Sequence, residues 1–185
     1  MDRFSRRTFI TTLGGSALVA GCGNGLNSNG AAKIDARVSA TLAQMYIDVP
    51  EAQALARKAV GMLVMPLVTE AGFGLGGAFG RGALIVGGAT VDYYAQAKAS
   101  IGLQFGAQQY AHVLFFLTED ALADFRTASG WVAGADIKYA VASEGGRFSA
   151  DTITAATPVV AMVFGTAGLI VGASLEGAKY TRIIP

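Results

Sequence analysis

Few side chains in this sequence offer reactive chemistry. Cys22 is the only cysteine and His112 the only histidine, which excludes an internal disulfide, a Cys-based structural zinc site and any metal cluster built on those ligands. With the thiol committed elsewhere, no Cys/His dyad remains, and no motif suggests a Ser–His–acid arrangement. His112 sits inside the apolar run 110–117, where a packed or strand-surface imidazole is expected rather than a general base. Glu119, Asp120 and Asp124 read as helix-start charge and a solvated face, not as a catalytic carboxylate pair. Gly72-Phe-Gly-Leu-Gly-Gly77 fits G-x-G-x-x-G. A dinucleotide site needs a helix directly afterwards, and Ala78-Phe79-Gly80-Arg81-Gly82 is too broken by glycine to start one. The alternating glycines read instead as the bare face of a strand against which another element packs. We expect no enzyme, no cofactor and no metal.

Cys22 carries the clearest chemistry. It follows Leu18-Val19-Ala20-Gly21, which resembles the bacterial lipobox, where the thiol is acylated and the cysteine becomes the first residue of the mature chain. Upstream, Ser5-Arg6-Arg7-Thr8-Phe9-Ile10 leads into an apolar stretch from Leu13 to Gly21. A charged start, a short apolar run and small residues before a cut site make a signal peptide, and the run is too short to span a bilayer. Arg6 and Arg7 resemble the twin-arginine signal, whose translocon accepts folded proteins. We therefore expect residues 1–21 to be a twin-arginine lipoprotein signal and 22–32 a flexible uncharged tether, with the domain over 33–185. Lipid chains stabilise membrane attachment by about 0.8 kcal/mol per buried CH₂, so several on one cysteine anchor permanently. Gly23 stands where sorting to the inner membrane uses Asp, which favours an outer-membrane, periplasmic or surface location in the cell envelope.

Composition bounds the domain that this anchor would hold. The chain has 185 residues, 52% hydrophobic and 15% charged, with 25 glycines and 4 prolines. That is one domain with a real core, and the opposite of a disordered composition. Taking away Arg3, Arg6, Arg7 and Asp2 with the signal leaves 11 bases against 12 acids, a net charge of −1. A nearly neutral body gives no case for nucleic-acid binding.

Periodicity supplies the elements. Ile34, Val38, Leu42, Met45 and Tyr46 recur at helical steps, and Ala52, Leu55, Ala56 and Ala59 repeat the pattern after Pro50, which suits the first turn of the second helix. Lys33, Arg37, Arg57 and Lys58 are the bases of this pair. Beyond residue 60 the pattern turns to strands: 61–65 up to Pro66, the glycine-alternating segment, 82–86, 98–107 and 110–117. Thr118 reads as the N-cap of a helix running to about Thr127, and further strands are expected over 131–142, 159–164 and 169–175. The uncharged stretch 159–175 could be a short membrane span, with Gly168-x-x-x-Gly172 as a helix-pairing motif. Its β-branched residues and a turn at Gly165-Thr166-Ala167 favour two strands. The expected fold is α+β: a glycine-rich, mainly antiparallel curved or barrel-like sheet with N-terminal helices and one central helix.

Several of these segments together resemble a known family. Glu70-Ala-Gly-Phe-Gly-Leu-Gly-Gly77 with Gly82-Ala-Leu84, Ala99-Ser-Ile-Gly-Leu-Gln-Phe-Gly-Ala-Gln108, His112 to Phe125, Gly134-Ala-Asp136 and Gly168 to Gly177 resemble, in order and spacing, the SYLF domain. That is the lipid- and actin-binding domain of a yeast endocytic protein family and its bacterial relatives. The resemblance implies membrane-lipid binding, with phosphoinositides as the attested eukaryotic ligand. For a bacterial member, a generic anionic phospholipid or a host lipid is the expectation, with Lys33, Arg37, Arg57 and Lys58 meeting phosphates while apolar residues enter the interface. The basic stretch of eukaryotic members is thin here, and no SH3 or FYVE module adjoins. Actin is not an expected partner, whereas an envelope or host partner is. The alternatives are helices that only cover the sheet, and an envelope lipoprotein serving structure or protein interaction without lipid binding of its own.

Overall fold

A computed structural model describes residues 28–134, 137–139, 157–165, 168–169 and 175–185. The signal segment with Arg6, Arg7 and Cys22, most of the Gly134-Ala-Asp136 motif and residues 170–174 lie outside the described residues. Three helices, α1 (Gly30–Asp48), α2 (Ala52–Lys58) and α3 (Glu119–Thr127), accompany seven strands: β1 (Gly61–Val86), β2 (Ala89–Phe116), β3 (Trp131–Val132), β4 (Lys138–Tyr139), β5 (Val159–Gly165), β6 (Gly168–Leu169) and β7 (Lys179–Ile183). The α+β expectation holds. All described pairings are antiparallel except β4 with β5.

The architecture follows from one hairpin. β1 and β2, 26 and 28 residues long, pair from Gly61↔Phe116 to Val86↔Ala89. Gly87 and Gly88 close it with φ of 59° and 83°, the positive values that a two-residue type I′ loop requires. A straight ribbon of this length would run about 85 Å, roughly twice the width of a domain this size, so it must curl. Register shifts at Met65/Val68, Gly72/Gly74 and Leu84/Ile85 supply the bends. Pro66 sits in the first shift, where its missing N–H leaves no ladder bond unmade. The expected stop at Pro66 is thus a bend within one strand.

The curl brings the two ends of β1 together. A Cβ on Gly61 would lie 3.4 Å from Val86 Cγ2, and one on Gly80 would lie 2.8 Å from Val68 Cγ2 and 2.9 Å from the Leu67 carbonyl oxygen. Gly82 approaches the Val64 carbonyl more closely still, where any side chain would collide with backbone. β1 thus packs on itself at Gly80 and Gly82, beyond the alternating glycines of 72–77 where a bare face was expected. β2 is the spine of the sheet: its first part pairs β7 at Tyr93–Ala97 and its last part pairs β5 at Ala111–Phe116.

Strand alternation divides the interior into two cores. Ala111, Val113 and Phe115 of β2 with Val160, Met162 and Phe164 of β5 face Ile34, Val38, Met45 and Val49 of the α1 region and Ala52 and Leu55 of α2. Tyr110, Leu114 and Phe116 with Val159, Ala161 and Val163 face inward around Phe125 and Leu122 of α3 and Tyr180 of β7. Thr118 caps α3, its hydroxyl accepting the Ala121 amide at 3.2 Å, with Glu119 and Asp120 in the first turn. Pro50 opens a turn just ahead of α2, accepting the Gln53 amide at 3.2 Å, while Glu51 is the N-cap. No helix among the described residues is long and apolar enough to cross a membrane, and Val159–Gly165 is a strand.

Candidate functional site

α1 is fixed against the hairpin tip by Asp35, whose two carboxylate oxygens accept the Thr90 hydroxyl at 3.0 Å and the Tyr93 hydroxyl at 2.8 Å. Burial first, and then Asp35, hold the Tyr93 phenol above its ordinary pKa. Lys33 and Arg37 flank Asp35 one turn apart, both exposed. Arg57 and Lys58 are exposed in the last turn of α2, which is where cations suit the helix dipole. Gly61, three residues beyond Lys58, lies against Val86 at the same hairpin tip. The structure thus gathers both pairs of expected bases toward one end of the molecule.

It does not leave them an insertable apolar face. Ile34, Val38, Met45 and Leu55 are 8%, 2%, 1% and 0% exposed, all spent on the sheet. Ile47 alone stands out from α1, 71% exposed, at the end remote from Lys33. The helices cover the sheet, and Ile34, Val38, Met45 and Leu55 are buried in that contact.

Inside the curl lies a polar cluster that the sequence did not announce. His112 is fully buried, its Nε2 2.9 Å from the Tyr180 hydroxyl, with no hydrogen-bond partner at Nδ1. Desolvation pushes its pKa down to about 3, so the imidazole is neutral at pH 7 and sealed from any substrate. The expectation of a packed histidine rather than a general base is met. Gln96 is equally buried, with neither amide atom partnered. Its strand neighbours are Gly80 on one side and Tyr180 on the other.

A second unforeseen group lies where α3, β2 and β7 meet. Asp92 stands 3.5 Å from Arg126 Nη2 and 3.4 Å from Arg182 Nε, and Arg182 Nη2 donates to the Arg126 carbonyl at 3.1 Å. The buried Tyr94 phenol lies against the Arg182 guanidinium without hydrogen-bond geometry. Burial raises the Tyr94 pKa, while Tyr94 and Asp92 raise that of Arg182. Asp92, Arg126 and Arg182 are 34 to 90 positions apart; the strand register, Tyr94 opposite Arg182, and the placement of α3 bring them together. No set of three metal-ligating side chains converges among the described residues.

No curated protein matches the chain. A family model does: Ysc84, described as Las17-binding protein actin regulator, matches residues 97–182. The match runs from the middle of β2 through α3 and β5 to the end of β7, and leaves α1, α2 and β1 outside it. Residues 97–182 match the Ysc84 family, the SYLF domain.

Proposed function

We propose that this domain binds anionic phospholipid head groups, and that acylation at Cys22, after export directed by Arg6 and Arg7, holds it on an envelope membrane. The observation that carries the reading is the family match over 97–182, since this is a family of lipid- and actin-binding domains. The head group is anionic because the domain exposes bases, Lys33, Arg37, Arg57 and Lys58 toward the hairpin tip and Arg126 and Arg182 where α3 meets β7, each worth roughly 1 kcal/mol beside an anionic surface. Anionic glycerophospholipid is the general ligand and a phosphoinositide a special case. Actin is not proposed as a partner for an exported chain.

The placement of Ser28 fits a tether. Its hydroxyl donates to the Pro185 carbonyl at 3.0 Å and accepts the Gly30 amide at 3.0 Å. Ser28 stands six residues after Cys22, a span of at most about 22 Å. Either the membrane that holds the anchor or one facing it is within reach of the domain.

The test is flotation of the Cys22→Ser chain with phosphatidylglycerol-containing vesicles at low salt. Anionic vesicles should carry it at least about tenfold better than phosphatidylcholine alone, with the preference fading as salt screens the charges. Equal recovery from both vesicle types would leave an envelope lipoprotein without lipid affinity of its own. In cells, Arg6→Lys with Arg7→Lys should block processing of the signal.

A further inference from the structure

We infer that the surface of the domain that seats on an anionic bilayer is the face shared by α3, β7 and β3, rather than the helix pair α1–α2; this rests on the lipid-binding reading above. The two surfaces differ in what they expose. The helix pair presents bases over an apolar face already buried in the sheet. The α3–β7–β3 face presents bases and unspent apolar groups together. Ile184 is 71% exposed and Val132 52% exposed. Arg126 and Arg182 keep 44% and 52% of their side chains exposed.

Register places Trp131 and Arg182 on one side of this sheet edge. Trp131 pairs with Tyr180, so the Trp131 ring shares a sheet face with Tyr180 and Arg182, two residues apart in β7, and Ile184 follows just past the end of that strand. The ring is half-buried, 5.4 Å from Phe125 and 5.8 Å from Tyr180 between centroids. Such an amphipathic ring beside arginines and exposed aliphatics is the chemistry of a membrane–water boundary. Val132, paired with Lys179, points to the opposite face of the same sheet edge, so the apolar groups line the edge rather than one face.

The charge balance points the same way. Two guanidiniums share the single carboxylate of Asp92, at distances longer than a direct hydrogen bond, so the group keeps a net positive charge that a lipid phosphate complements. The Arg182 bond to the Arg126 carbonyl holds the two heads side by side. Of the acids on α3, Glu119 and Asp120 stand at its other end, about 9 Å along the axis, and Asp124 is turned about 200° from Arg126. The tether emerges here as well: Ser28 bonds Pro185, the residue after Ile184. A bilayer within about 22 Å of Ser28 meets this face first.

The experiment compares charge-matched variants of the Cys22→Ser chain on vesicles of phosphatidylglycerol and phosphatidylcholine. Arg126→Gln with Arg182→Gln should weaken binding about 30-fold, and Arg57→Gln with Lys58→Gln only a few-fold. Ile184→Asp, at a residue 71% exposed, should also weaken binding while leaving the thermal transition in place. That single variant keeps the inference testable if the arginine pair proves needed for folding. Folded Arg126/Arg182 and Ile184 variants that bind like the parent overturn the inference, and so does a larger loss in the Arg57/Lys58 variant. A parent chain with no preference for anionic vesicles overturns this inference and the function it rests on.

Discussion

Where β2 is closed to solvent, its two faces are unlike in chemistry. Beneath α1 and α2 the strand offers Ala111, Val113 and Phe115 to apolar partners only. Inside the curl, Tyr94, Gln96 and His112 are 2%, 0% and 0% exposed, and three of them bury unpartnered polar atoms: the Tyr94 hydroxyl, both amide atoms of Gln96 and Nδ1 of His112. Burial of apolar area is enough to hold the helix-covered face, at about 1.5–3 kcal/mol per large side chain. The inner face must bear desolvation of groups that cost about 1–3 kcal/mol each when unpaired. Stability therefore comes mainly from the helix side, and sensitivity to conditions from the inside.

The largest expected effect tests the helix side. Phe115→Ala removes a fully buried ring that packs beneath the helix pair and should cost about 3–5 kcal/mol, read as a lowered urea midpoint at unchanged slope. A loss below about 1 kcal/mol would mean that α1 and α2 rest on the sheet without depending on it, and the contrast between the faces would collapse.

Next comes acid. His112 has its folded pKa lowered from 6.5 to about 3 by burial, so between those values the unfolded chain binds the proton and the folded one does not. Stability is therefore whole above pH 6.5 and falls as pH drops through the window down to about 3. At about 1.4 kcal/mol per unit, some 2–3 kcal/mol disappears between pH 6.5 and 4.5. His112→Leu should flatten that part of the profile whatever its effect at pH 7. A variant with the parent's slope would show that His112 takes up its proton in the folded state.

How much of this was legible beforehand follows the range of the interactions. α1, α2 and α3 were readable because their signals are local: apolar steps of three and four, Pro50 before α2, and Thr118 bonding Ala121 three residues on. The strand character of the glycine segment was readable too. The continuity of β1 through Pro66 was not, since a bulge that excuses a missing donor depends on the partner strand. β7 went unforeseen although Lys179-Tyr-Thr-Arg-Ile183 alternates, because five residues carry a weak pattern. The bases of α1 and α2 could be named from sequence, and so could their helical spacing. That their apolar neighbours are all used on the sheet could not. Asp92, Arg126 and Arg182 carried no signal, being joined only by strand register and the placement of α3.

The finest contrast between the faces is at Gln96. Its amide lies on the inner face opposite Gly80 and Tyr180, with neither the oxygen nor the nitrogen bonded. Gln96→Leu keeps a side chain of similar size and removes both unpaired groups, so it should stabilise the domain by about 1 kcal/mol. On the helix side the nearest counterpart is Glu51 Oε2 at the start of α2, buried and unpartnered on a side chain that is only half-buried. A thermal midpoint raised by a few degrees would locate the inner face as the place where this fold gives up stability. A lowered midpoint would mean that the amide is bonded in solution, through water held inside the curl, and that the inner face is a satisfied polar network rather than a strained one.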